Sequence, residues 1–383
     1  MLSPLPYHAE LKRFLKEHES ELWHWLASAE AKAAYAEELR LDLLKSLYRF
    51  EPSTHGPLYS QVEKAKEALG LNIPVTVYQG QQTVGLNAGI YYLPGEGHIV
   101  FSGNLLQLLK EDELLSVLAH ELAHYQLWQC EGGEYHVMDR LVSTLAHNQR
   151  STPSHHHTAK TTQLYTEIFC DRASAVATGS LNSMIRSLIK IETGISEVSA
   201  ESYLQQAEEI FRQGPGPSER TSHPETYIRV RALSLWMNNP ATAEDQIVGM
   251  IEGIRSVDEL DLLGQKRMTE VTRMLINDLL QPEWFRTDPV LAHARLFFPD
   301  FHPAGSVGDA PPSFARDDKT KDYLGYVMLD FVAMDPDLED EPLKQAIAIS
   351  ERWGLGDSFA KLAQKELKLK GRDWTKLAGK AEE

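Results

Sequence analysis

Two cysteines in 383 residues, Cys130 and Cys170, are too few for a disulfide framework and suit a reducing compartment. Long apolar runs are missing too. No stretch approaches the roughly 18 consecutive apolar residues a membrane-spanning helix needs, so no transmembrane segment is expected. The opening "MLSPLPYHAELKRFLKEHES" sets no apolar run behind a basic start; no signal peptide is expected, and the chain reads as cytoplasmic. Basic charge is short as well: 38 Lys and Arg against 55 Asp and Glu give a formal charge of −17. A nucleic-acid binder neutralises phosphates with clustered cations, and none cluster here, so nucleic acid is not an expected partner. What is present, 42% apolar and 24% charged residues, is the balance of a globular protein long enough for two domains.

The periodicity predicts a mostly helical α+β fold. Residues 7–47 are dense in Ala, Leu, Glu and Lys at helical spacing, which predicts one or two helices. A further helix over 58–69 should stop at Gly70. In "NIPVTVYQG", Ile73, Val75 and Val77 alternate with their neighbours as a half-buried strand requires. "GIYYLPGEGHIVFSG" reads as a hairpin turning at Pro94-Gly95-Glu96-Gly97. Helical patterns dominate from about Asp112, broken by polar loops at 148–162 and 212–225. The Gly-, Pro- and Asp-rich stretch before residue 322 is the linker candidate.

The chemistry concentrates in "LLSVLAHELAHYQLW", residues 114–128. Positions i and i+4 share a helix face, so His120 and His124 can converge on one ion. Glu121 can then act as general base on a water that the metal activates, which is why H-E-x-x-H reads as a zinc-hydrolase motif. Shuffled chains of this composition would show the pattern roughly once in twenty, and a buried helix with two histidines would look the same, so further donors are required. A catalytic zinc takes three protein ligands. "YTEIFCDRASA" offers Glu167 as the third, on a predicted helix over 161–178, with Asp171 four residues on to orient a ligating histidine. "SERTSHPETYIRVRAL" offers His223 as an oxyanion donor, or as an occupant of the open metal position in a resting form, and Arg229 as a partner for an acid.

The three motifs together resemble the HtpX-like and CAAX prenyl protease-like zinc metallopeptidases of the gluzincin group. They read here as His120-Glu121-Leu122-Ala123-His124, Glu167 to Asp171 with Arg172, and Ser222-His223-Pro224 with Arg229-Val230. The resemblance covers about residues 55–236. It implies one Zn2+ per chain and a strand at Asn87-Ala88-Gly89 along which a polypeptide substrate adds as an extra strand. It also implies a gluzincin-type domain at 55–238; the helical pattern and composition add packing helices at 1–54, a helical extension at 239–305, a linker at 306–321 and a small helical module at 322–383. That last module is faintly similar to the TerB-like module. Many relatives are membrane-embedded or exported, so their substrates do not carry over.

Three other features have ordinary explanations. His155, His156 and His157 fall in the polar stretch between the two metal-ligand helices, where a mobile surface loop is expected. Cys170 reads as a buried small hydrophobe outside the site. Asp335, Asp337, Glu339 and Asp340 could take a cation, but lack the spacing of a calcium loop and read as a solvated helix start. Two functions follow: a soluble zinc endopeptidase, or a latent metallopeptidase scaffold acting as a regulatory or binding protein through its helical C-terminal region.

Overall fold

β-rich runs between Val75 and Ser102 build three strands of a small sheet, and Tyr48–Arg49 adds a short fourth. Its strands are β1 (Tyr48–Arg49), β2 (Val75–Gln79), β3 (Asn87–Leu93) and β4 (Glu96–Ser102), in the order β1-β2-β4-β3. The β3–β4 hairpin turns at Pro94-Gly95 as the sequence predicts, with Asn87 opposite Ser102 and Leu93 opposite Glu96. β2 joins β4 in parallel, and β3 is left as an edge strand. The computed structural model describes residues 2–81, 85–253, 256–303 and 318–377. They form two compact units, residues 1–253 and 254–383. The fold is α+β and mostly helical, and among the described residues no helix is long and apolar enough to cross a membrane.

The first unit opens with α1 (Pro6–His18), α2 (Ser20–Ala27) and α3 (Ala29–Ser46). α4 (Gly56–Leu69) ends at Gly70, whose φ of 68° is the left-handed conformation glycine adopts cheaply. After α5 (Leu105–Leu108) comes α6 (Glu111–His147), which carries the H-E-x-x-H motif. Its start is fastened by Glu113, which accepts hydrogen bonds from the Lys110 backbone at 2.8 Å and from the buried Lys190 Nζ of α8 (Leu181–Thr193), also at 2.8 Å. α6 is broken at Cys130–Gly133, where Glu131 and both glycines take positive φ. Lys12 and Tyr135 hold the Glu131 carboxylate, and beyond the break the His136 ring packs, tilted, 4.3 Å from that of Tyr92 of β3. At Gly133 a Cβ would meet the Tyr92 hydroxyl at 3.4 Å.

The expected loop at 148–162 is largely helix. α7 spans Pro153–Thr178 rather than starting near Thr161, so His155, His156 and His157 lie in its first turns. The cause is local capping. The Thr152 amide donates to His155 Nδ1 at 3.0 Å, and the hydroxyls of Thr158, Thr161, Thr162 and Thr166 each donate to the carbonyl four residues back. Those bonds let a polar sequence run through a buried helix.

His8 of α1 is fully buried, its Nε2 lying 3.2 Å from Thr166 Oγ1, and burial lowers its pKa from 6.5 to about 4. The unfolded chain therefore takes up this proton first as the pH falls. The stability contributed above pH 6.5 is lost between 6.5 and about 4, by about 3 kcal/mol. Urea midpoints of wild type and His8→Gln should diverge in slope across that window. Parallel curves would remove His8 as the cause.

α9 (Ala200–Arg212), α10 (Thr226–Asn238) and α11 (Pro240–Ile251) complete the first unit. The second unit is helical: α12 (Leu262–Leu279), α13 (Asp288–Phe297), α14 (Asp318–Val332), α15 (Glu341–Arg352), α16 (Gly356–Glu366) and α17 (Gly371–Leu377). Its apolar core runs through Leu275, Leu279, Phe331 and Phe359, and the buried Asp278 accepts from Arg352 Nη2 at 2.8 Å and Trp353 Nε1 at 3.0 Å. In the acidic turn, Asp335 accepts the Asp337 amide at 3.1 Å as a cap on the short Pro336–Leu338 turn. The linker expected at 306–321 lies outside the described residues as far as 317.

Candidate metal centre

α6, α7 and the approach to α10 bring the three motifs to one carboxylate, Glu167. Helical spacing stacks His120 over His124 on α6. His120 Nε2 lies 3.3 Å from Glu167 Oε2, His124 Nε2 lies 3.4 Å from Glu167 Oε1, and His223 Nε2 lies 3.5 Å from the same oxygen. Asp171, one turn beyond Glu167, faces His120 Nδ1 at 3.0 Å. Arg229 donates from Nε and Nη2 to the two Asp171 oxygens at 2.8 and 2.6 Å, and its Nη2 lies 3.1 Å from Glu167 Oε2. All are buried except His124, which is partly so, and His223, whose side chain is 47% exposed. Arg172 is turned away, paired with Glu244 of α11 at 2.8 Å and packed over Trp236.

The charges set one another. Burial would lift the carboxyls of Glu167 and Asp171, but Arg229 and the facing histidines hold Glu167 well below the usual carboxylate range and keep Asp171 low. Burial alone would lower His120; the Glu167 and Asp171 carboxylates raise it instead. Burial pushes the Glu121 carboxyl up, against the pull of His120 and His124. For His223 the pull of Glu167 is outweighed by burial and by Arg229, His120 and His124, leaving it below its ordinary value. A further carboxyl, Asp139 from beyond the break in α6, is raised by desolvation to about 6, with His124 acting against the rise.

The donors suit a metal ion. A tetrahedral ion with bonds of about 2.0–2.1 Å sets its ligand atoms about 3.3–3.4 Å apart, close to the separations of Glu167 from His120 and His124. Glu167 Oε2 is buried with no aligned hydrogen bond, an acceptor that a cation would satisfy. Cys170 joins the same cluster: its Sγ and the ring nitrogens of His120 and His124 lie within 4.8 Å of one another, so these three residues also form a group able to hold a metal. The sequence reading leaves Cys170 out, although its place three residues after Glu167 on one helix face was the signal. Its thiol is pushed well above its ordinary pKa by burial and by the nearby carboxylates.

A cavity of about 680 Å³ opens beside the cluster, walled by His120, Glu121, His223 and Arg229 and bounded by Asn87 and Ala88 at the start of β3. Gly89 lies on the same strand but not on the cavity wall.

Residues 56–148 match the SprT-like family, a metallopeptidase-like family of the zincin type. The matched stretch runs from α4 to the end of α6 and includes His120, Glu121 and His124; Glu167, Asp171, His223 and Arg229 lie beyond it. The match points to a metal-dependent peptidase-type domain and gives no support to the HtpX-like or CAAX-type assignment. No curated protein and no solved structure matches the chain.

Proposed function

We propose that this chain is a zinc-dependent endopeptidase whose ion is held by His120, His124 and Glu167. The observation that carries the reading is the meeting of both H-E-x-x-H histidines with a buried carboxylate of α7 at separations of 3.3 and 3.4 Å. Glu167 is preferred to Cys170 as third ligand because its oxygens lie 3.3 and 3.4 Å from the two histidine nitrogens, the spacing a tetrahedral ion sets, whereas the Cys170 group is gathered only to within 4.8 Å. The order of E-x-x-x-D and Ser222-His223-Pro224 after the SprT-like stretch supports an HtpX-like layout of the remaining groups. We place the working protein in the cytoplasm.

Bound zinc supplies a Lewis acid that polarises the scissile carbonyl and acidifies a water. The chain's own residues do the rest. A polypeptide lies along the free edge of β3, its backbone pairing with Asn87 to Gly89. Glu121 takes the proton of the attacking water and passes it to the leaving amine, a task that suits a carboxyl lifted by burial. His223 donates to the developing oxyanion from the cavity wall. Asp171 fixes the His120 ring with Nδ1 inward and Nε2 toward the ion, and Arg229 fixes Asp171.

The test is cleavage of casein by zinc-loaded protein beside protein stripped with a chelator. Fragments are expected only with zinc. An intact substrate in both would overturn the peptidase reading in favour of a latent scaffold.

A further inference from the structure

Beyond the reacting groups the cavity continues along α8. There its wall is made by Met184, Leu188 and Ile191, which recur at helical spacing, with Val117 of α6 beside them. Leu86, ahead of β3, closes this end near the α8 cap, where a Cβ on Gly194 would lie 3.8 Å from Leu86 Cδ1.

The polar groups in this wall are already occupied. Ser187 Oγ donates to the Met184 carbonyl at 2.8 Å, and Thr193 Oγ1 donates to the Ile189 carbonyl at 2.7 Å. At the rim, Arg220 grips Glu192 with both terminal nitrogens, at 2.7 and 3.2 Å, so the two charges cancel. A surface of this kind gains from covering apolar area and offers an incoming charge no uncompensated opposite charge, so a charge is desolvated there at a cost.

We infer that the α8 wall is a side-chain pocket selecting a large aliphatic or aromatic residue beside the bond to be cut. The substrate class is then polypeptide with exposed apolar side chains, as in unfolded or misassembled protein. The position beside the cut rests on the peptidase reading above; the selectivity of binding does not.

The experiment uses fluorescent hexapeptides with one central residue varied among Leu, Phe, Ala, Asp and Lys, in a Gly and Ala background. Their affinity for the zinc-loaded Glu121→Gln chain is read by anisotropy, and cut sites left in casein by the wild type are mapped in parallel. Leu and Phe peptides are expected to bind tenfold or more tightly than Asp and Lys peptides. Ile191→Glu should erase that preference with zinc content unchanged, and Ile191→Ala should weaken it. Equal affinities across the series, none measurable included, would overturn the inference, as would a preference that Ile191→Glu leaves intact. Apolar-selective binding without casein cleavage would sink the peptidase reading and keep the pocket. Cleavage with no apolar residue favoured at the cut would do the reverse.

Discussion

Replacing Glu121 with Gln is expected to lower kcat/KM on casein on the order of 10³-fold while leaving the zinc content unchanged. Gln keeps the shape and removes the proton acceptor. General base catalysis of this kind contributes about 10²–10⁴-fold, and among the described residues the other carboxylate lining the cavity is Glu192, at the rim and engaged by Arg220. The two readouts, steady-state cleavage and bound zinc by atomic absorption, separate loss of chemistry from loss of the ion. A variant within tenfold of wild type would reject Glu121 as the base; a variant lacking zinc would show that its main task is to hold the site together.

The second large effect is on stability. Arg229→Met strips the cation from two buried carboxylates at once, Asp171 at 2.6–2.8 Å and Glu167 at 3.1 Å. Removing one partner of a buried pair leaves an uncompensated charge and typically costs about 3–5 kcal/mol. The metal-free variant should lose stability by that amount in urea titration. Added zinc should recover part of it, because a cation binding only the folded form shifts the equilibrium by mass action. Arg229→Lys should restore little, since one ammonium cannot reproduce the paired contact with Asp171. A loss below about 1 kcal/mol for Arg229→Met would mean that the carboxylates are solvated or protonated.

Much of this site was legible because helices turn spacing into geometry. His120 and His124, then Glu167 and Asp171, are i and i+4 pairs, and their helices needed only to pack together for the four groups to meet. The β3–β4 hairpin was legible from its Pro-Gly turn flanked by β-rich runs. The start of α7 was hidden because Ser, Thr and His usually mark loops; here the hydroxyls are satisfied by the helix's own carbonyls, a pairing invisible to composition. Cys170 was missed for a related reason. Burial makes a cysteine look like a small hydrophobe until the neighbours at its sulfur are known. The break at Cys130–Gly133 carries a Gly-Gly signal, yet what it accomplishes, the return of His136 to Tyr92, depends on a contact across 44 residues.

The distribution of the cluster along the chain bears on how the protein is made. His120 and His124 leave the ribosome early, Glu167 and Asp171 follow some forty residues later, and Arg229 comes last, 58 residues after the acid it grips. Synthesis proceeds at about 5–20 residues per second, so the imidazoles precede their anchoring cation by several seconds. During that interval Asp171 and Glu167 lack Arg229, and β3 lacks the His223 wall. The cluster of His120, Glu167, Asp171 and Arg229 is complete only once α10 has emerged and docked, so on the peptidase reading proposed above the chain carries no assembled cutting site while it is being made.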